Sequence, residues 1–365
     1  MTSAETTCAV SGPVREPILQ IHPSLWCNLR CKHCYSESSP QIRVQLDPEY
    51  LCAAISDAAA MGYKVVSVSG GEPFLYKELP TVLRHARSLG LRTTVTTNGY
   101  FLQQRRLSEL SGCLDVLAIS LDGPPEMHNQ IRGSSQAFQR MQAGLENVRK
   151  AGINFGFIHT ATRNNWDQLP WVGEFAFTQG AKLLQIHPLE LAGRANTEMT
   201  EHSMDDSLMA KVYLLAFALT AKYGNSMRIQ CDLMHREHAI RNPELIYAST
   251  SWSAAAGKLP SELLGLIVLE PDGAIVPLSY GFSRRYQICN VKKQTLKEGW
   301  QDFILARHSQ FRRVCREVFD FVSQPDGPEL FNWHELIVAC SRTGLYSRQQ
   351  ANEGSSELVT LAKRQ

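Results

Sequence analysis

The sequence predicts an α/β protein: a partial (β/α)6 TIM-like barrel followed by a smaller α+β domain that contains a β-hairpin. Three observations carry this. From about residue 17 to 225, short apolar or β-branched runs alternate with longer segments whose apolar residues recur at i, i+3 and i+4. Gly62, Gly90, Gly152 and Gly180 each stand just past such a segment, where a helix ends in a left-handed cap. Glu270-Pro271-Asp272-Gly273 lies between Ile267-Val268-Leu269 and Ala274-Ile275-Val276, a turn between two strands.

Residues 1–16 are polar and rich in Ser and Thr, and read as a flexible tail. Strands follow at 18–22, 65–69, 93–97, 116–120, 154–160 and 183–187. Helices are expected at 48–62, 78–89, 137–151 and 168–179, with a long one at 203–223. A strand–helix alternation of this kind argues for a parallel sheet. About six strands are visible, fewer than a closed barrel uses. The first domain therefore spans 17–225. The second, 226–322, holds the hairpin and a helix at 296–306. Residues 323–365 open on Pro325-Asp326-Gly327-Pro328, continue as mixed helix and end in a polar tail over 349–365. There is no further internal repeat and no low-complexity tract.

The chain has 365 residues, 44% of them hydrophobic and 20% charged, which is ordinary for a soluble globular protein. A net charge of +2 points to neither nucleic acid nor an anionic membrane as partner. No apolar run approaches the roughly 20 residues of a membrane span, and residues 1–15 lack the apolar stretch of an export signal. The expected location is the cytoplasm. The ten cysteines then read as reduced thiols, some of them bound to metal, rather than as disulfides.

Cys27, Cys31 and Cys34 fall within the run Trp-Cys-Asn-Leu-Arg-Cys-Lys-His-Cys-Tyr, a C-x3-C-x2-C spacing directly after the first strand. Iron–sulfur clusters are held by cysteine thiolates, with four as the usual full set. Three thiolates on one loop leave one iron of a cubane without a protein ligand. The competing reading is a zinc site, with His22 or His33 as fourth ligand.

In folds of this type ligand sites gather at the carboxyl ends of the strands. The polar loops obey that rule. Gly70-Gly71-Glu72-Pro73 follows the second strand, Asn98-Gly99 the third and Ser120-Leu121-Asp122-Gly123 the fourth. For Ser120 and Asn98 simple strand or turn capping is an equal alternative. His159 and His187 lie on strands, facing either core or cavity, and a satisfied core histidine is the plainer reading of both.

C-x3-C-x2-C, Gly-Gly-Glu-Pro, Thr97-Asn98-Gly99 and Ser120-Leu121-Asp122-Gly123, in that order at successive strand ends, together resemble the radical S-adenosylmethionine superfamily over residues 17–200. The resemblance implies that Cys27, Cys31 and Cys34 bind one [4Fe-4S] cluster, and that S-adenosylmethionine chelates the fourth iron through its amino and carboxylate groups. One electron then cleaves the sulfonium C–S bond, and the 5′-deoxyadenosyl radical takes a hydrogen atom from a substrate. It places His33 near the adenine and Ser120 near the methionine or ribose part, with Asn98 as a polar neighbour. Gly70 and Gly71 let backbone approach the ligand, the Glu72 carboxylate suits its amino group, and Pro73 stiffens the loop. Arg132 and Arg163 are both candidates for its carboxylate. The electron comes from an external donor such as flavodoxin or ferredoxin.

The stretch 269–278, followed by Cys289-Asn290-Val291, resembles the SPASM or twitch extension of peptide- and small-molecule-modifying members of that family, as does His128 and Arg132 after Ser120–Gly123. In those relatives a cysteine usually follows the hairpin and further cysteines bind auxiliary clusters. Here Leu278 follows Pro277, and Cys231, Cys289, Cys315 and Cys340 are widely spaced. The expectation is therefore a degenerate extension and a single cluster. Without an auxiliary cluster, redox-neutral outcomes such as epimerisation, rearrangement or hydrogen return from a thiol gain ground. Cys231 and Cys289 are the candidate hydrogen donors; the alternative is that both are small buried hydrophobes. The resemblance favours a peptide substrate, modified or epimerised in natural-product maturation. A sugar or aminocyclitol natural product is the first alternative, and a non-catalytic metal-binding scaffold the second.

Overall fold

The computed structural model describes residues 16–243 and 258–343. The predicted tails at 1–16, apart from Glu16, and at 349–365 lie outside the described residues. Twelve strands are described: β1 Ile18–Ile21, β2 Val65–Val68, β3 Arg92–Thr97, β4 Val116–Ser120, β5 Asn154–Ala161, β6 Leu183–Pro188, β7 Arg228–Cys231, β8 Met234–His235, β9 Leu266–Leu269, β10 Ala274–Pro277, β11 Cys289–Asn290 and β12 Leu330–Phe331. Ten form one sheet, in the order β11-β10-β9-β1-β2-β3-β4-β5-β6-β7. β1 to β7 are parallel and stand in chain order. All six predicted strands are present, and β7 extends the series by one.

The alternation along each strand explains the layering. On β4, Leu117 and Ile119 are buried, while Val116, Ala118 and Ser120 line a hollow. On β6, Leu184 and Ile186 are buried, while Leu183, Gln185 and His187 line the same hollow. The outer face packs on the helices. Helix Pro48–Ala60 buries Leu51, Ala54, Ile55 and Ala58, and helix Ala137–Lys150 buries Met141, Leu145 and Val148. A fully buried Leu, Ile or Val contributes about 1.5–3 kcal/mol, so these stripes fix the helices to the sheet. The four predicted cap glycines all have positive φ, between 67° and 94°.

The hairpin assigned to the smaller domain extends this sheet. β9 pairs in parallel with β1, Ile18 opposite Leu266 and Ile21 opposite Leu269. β10 turns back antiparallel through Gly273, whose N–H donates to Glu270 O at 2.9 Å. The free edge of β1 is thereby covered. Six helices went unread in the sequence: Gln104–Leu110, Pro125–Arg132, Ala195–Glu198, Arg236–Arg241, Pro260–Leu263 and His308–Val322. The last buries Phe311, Val314, Cys315, Val318 and Val322 at helical spacing, a stripe hidden among five charged residues. Beyond it, the turn around Gly327 and the helix Trp333–Thr343 wall the hollow opposite the strands.

Candidate functional site at the strand ends

The hollow has a volume of about 2380 Å³ and is lined from both ends of the strands, with the cysteine loop, Gly70 and Gly71 at the carboxyl end. Its inner wall carries small or polar groups: Gln20, Ser67, Thr94, Thr96, Gln185 and Gln230. Cys27, Cys31 and Cys34 all line it as free thiols. Cys27 and Cys31 are buried and Cys34 is partly exposed.

Each sulfur has a polar neighbour. Leu29 N–H lies 3.5 Å from Cys27 Sγ and Asn98 Nδ2 3.7 Å from it. Arg132 Nη1 lies 3.9 Å from Cys31 Sγ, and Ser36 Oγ 3.5 Å from Cys34 Sγ. Burial pushes the Cys31 thiol up to about 11, partly offset by Arg132. Burial, reinforced by Glu72, also raises Cys27.

The cysteine loop and the Gly70–Pro73 loop are built against each other. Gly71 N–H donates to Ser24 O at 2.8 Å, and Glu72 N–H to Trp26 O at 2.9 Å. A Cβ on Gly71 would lie 2.2 Å from Trp26 O, so only glycine allows this approach. Gly70 and Gly71 line the hollow. Glu72 turns away from it. Its carboxylate is buried and accepts from Phe74 N–H at 3.1 Å, Thr97 Oγ1 at 2.7 Å and Asn98 N–H at 2.9 Å. Burial nevertheless lifts it to about 7. Here Glu72 ties the second rim loop to the third, and Pro73 opens the short turn Pro73–Leu75 behind it.

Asn98 and Ser120 both line the hollow, and Asn98 Nδ2 also donates to Asn28 Oδ1 at 2.9 Å. Of the two candidate arginines, Arg132 is at the hollow. Arg163 is engaged elsewhere, donating to Ser203 O at 3.1 Å and pairing with Asp205 at 3.0 Å. Arg132 Nε donates to Asp122 Oδ2 at 2.6 Å, and His33 Nε2 lies 3.3 Å from the same oxygen. Burial alone would raise Asp122, but the Arg132 guanidinium outweighs it and holds the carboxyl well below its usual range. His22 is buried, stacked on Tyr280 with ring centroids 4.6 Å apart, its Nε2 2.9 Å from Gln20 Nε2. The Nε2 atoms of both histidines weighed as zinc ligands have other partners, His33 with Asp122 and His22 with Gln20.

His159 is a core histidine, its Nδ1 3.0 Å from Leu121 O. His187 faces the hollow and pairs with Asp232. Cys231 and Cys289 are buried, do not line the hollow, and have thiols that burial raises to about 12. Cys289 instead packs against Gly299, where an added Cβ would lie 2.1 Å from its own. The geometry thus favours the reading of both as small buried hydrophobes over that of hydrogen donors. The sequence reading missed Arg194, Glu190 and Glu335. Arg194 is an isolated arginine after an irregular loop, with no local signal. Glu190 and Glu335 meet in the hollow from segments far apart in the chain, and their mutual repulsion helps to raise Glu335, which burial chiefly lifts to about 8.

A parallel sheet carrying a three-cysteine loop and a Gly-Gly-Glu-Pro loop on one rim is the arrangement that the resemblance to the radical S-adenosylmethionine superfamily implies. Residues 21–176 match the family model described as Radical SAM superfamily, and the chain carries a domain of that superfamily. Among curated relatives, the Fe-coproporphyrin III synthase of Methanosarcina barkeri is 27% identical over 301 residues, covering 79% of this chain and 74% of that protein. The PqqA peptide cyclase of Ruegeria pomeroyi is 30% identical over 172 residues, 46% of each chain. Among solved structures, Streptococcus suis SuiB bound to S-adenosylmethionine superposes with a TM-score of 0.64 at 16% identity, covering 86% of this chain and 76% of that one; it shares the fold.

Proposed function

We propose that Cys27, Cys31 and Cys34 hold one [4Fe-4S] cluster and that S-adenosylmethionine binds beside it in the hollow, where the enzyme acts on a peptide. The observation that carries this is three free thiols on one rim, lining one cavity, with N–H donors near the sulfurs of Cys27 and Cys31 and a hydroxyl near that of Cys34. The donor set fits: buried thiols this hard to ionise need a cation to become thiolates, and iron supplies it. When bound, the cluster and S-adenosylmethionine supply a carbon-centred radical that abstracts hydrogen.

The chain's own residues bind, orient and shield. Gly70 and Gly71 present peptide groups to the amino end of S-adenosylmethionine. Arg132, kept charged by Asp122 against burial, faces its carboxylate. Asn98, Ser120 and His33 are the remaining polar contacts. The wall formed by 321–342 keeps bulk water from the reacting atoms. Residues 17–225 form the catalytic domain, and 226–322 with the segment after it close the hollow. Flavodoxin or ferredoxin supplies the electron, and the cytoplasm the setting. Among the described residues no helix is long and apolar enough to cross a membrane.

A peptide suits the hollow on size and chemistry. Pockets for small molecules run to about 300–1,000 Å³, and this hollow of about 2380 Å³ has room for a peptide beside the cluster and S-adenosylmethionine. The amides and hydroxyls of the inner wall can pair with main-chain groups. A second reading, a tetrapyrrole substrate, is favoured by the 79% of this chain that aligns with Fe-coproporphyrin III synthase. The test is isotopic. Peptides encoded beside the gene, made fully deuterated, are incubated anaerobically with reconstituted enzyme, S-adenosylmethionine and reductant, in parallel with a deuterated tetrapyrrole precursor of iron-coproporphyrin III. Deuterium in 5′-deoxyadenosine from a peptide supports the first reading. Turnover only with the tetrapyrrole precursor replaces it with the second.

A further inference from the structure

The cysteine loop leaves β1 at one side of the rim, yet the segment after β6 also holds it. Arg194 is 7% exposed. Its Nη1 donates to Cys31 O at 2.7 Å, and its Nη2 to Glu37 O at 3.1 Å and Ser38 O at 2.8 Å. Its own N–H donates to Cys34 O at 3.0 Å. One residue therefore grips the loop at four main-chain carbonyls, two of them belonging to cysteines. The residue before it makes the grip possible. Gly193 has φ +55°, and a Cβ there would lie 2.3 Å from Tyr35 O and 2.8 Å from Cys34 O. Outside, Arg30 in the cysteine loop pairs with Glu198 at 2.7 Å and ties down the short helix that follows Arg194.

We infer that Gly193 and Arg194 form a brace that presets the three-cysteine loop for its cluster, with Arg194 as a positioning residue whose charge also tunes that cluster. This rests on the proposed cluster ligands. The physical argument is preorganisation. The loop from Cys27 to Ser39 has few side chains to pack, and Cys27, Leu29 and Cys31 make only a small cluster of their own with Ala137. Without the brace the Glu37 and Ser38 carbonyls lose the Arg194 donor, the Cys31 carbonyl keeps only the longer bond from Cys34 N–H at 3.4 Å, and the loop samples other shapes. A guanidinium suits the task because its planar fork reaches several acceptors at once, which an ammonium does not. It also keeps a permanent positive charge against the backbone of Cys31. Net charge and hydrogen bonding around an iron–sulfur cluster set its potential.

The test compares wild type, Arg194→Met, Arg194→Lys and Gly193→Ala, each checked by circular dichroism. In the metal-free full chain, alkylation of Cys27 and Cys31 is followed by mass spectrometry, with Cys113 and Cys315 as internal controls. Loss of several hydrogen bonds to a charged group should speed labelling of Cys27 and Cys31 by about tenfold or more in Arg194→Met, with the controls unchanged. Gly193→Ala should do the same without removing charge, and Arg194→Lys should fall between. After anaerobic reconstitution, Arg194→Met should hold less iron, and its remaining cluster should have a shifted electron paramagnetic resonance spectrum and a lower reduction potential. Unchanged labelling, or full iron content with unchanged spectrum and potential, overturns the inference. If labelling rises as stated but wild type takes up no cluster, the brace stands and the cluster assignment fails.

Discussion

Replacing Cys31 with alanine is expected to leave a folded protein that neither holds a four-iron cluster nor forms 5′-deoxyadenosine. Two bound thiolates leave two irons without protein ligands, and cluster content should drop to near background. The fold should survive because Cys31 sits in a small satellite cluster apart from the main core. Truncating a buried cysteine there costs about 1–2 kcal/mol, a small part of a domain's stability. Iron and sulfide analysis, with the visible spectrum, checks the first statement, and urea unfolding the second. A scaffold that uses the same fold without catalysis would keep its biological effect in this variant.

The second large effect belongs to Asp122. Its carboxylate is fully buried and bonds Arg132, with His33 beside it, while its backbone N–H donates to His128 Nδ1 at 3.2 Å. Asp122→Ala strands the Arg132 guanidinium, 8% exposed, without its counter-charge. Breaking a buried ion pair on one side costs about 3–5 kcal/mol, and urea unfolding at pH 7 should show a loss of that order. The pH dependence has a defined sign. The folded carboxyl is held below its unfolded value, so its stabilisation is present above about pH 4 and is lost as pH falls through the lower folded value. The gap between wild type and Asp122→Ala should therefore shrink in acid. A constant gap from pH 7 to pH 3 would show that Asp122 acts by packing alone.

Much of this was legible in the chain because the signals were local. A β-branched run followed by an amphipathic stretch and a glycine specifies a βα unit almost by itself, as 65–90 does. The three cysteines are close in sequence, so their meeting on one rim needs no long-range information. The hairpin was readable from Glu270–Gly273, but not its pairing with β1, because no pattern in 266–269 names a partner. Glu72 shows the limit at the site. Its position in the loop was clear, but whether the carboxylate faces ligand or protein depends on Thr97 and Asn98, 25 and 26 residues further on. Arg194 was invisible for the same reason, its acceptors lying 156 to 163 residues earlier in the chain. Helix His308–Val322 was missed for a different one: its apolar stripe is regular but interrupted by charges on the outer face.

A cluster held by Cys27, Cys31 and Cys34, as proposed, would activate S-adenosylmethionine. The direct measurement is anaerobic reconstitution of the full chain with iron and sulfide, followed by dithionite and S-adenosylmethionine and assay of 5′-deoxyadenosine. The account predicts 5′-deoxyadenosine from wild type and none from Cys31→Ala. A spectroscopically intact cluster in wild type that yields no 5′-deoxyadenosine would contradict it.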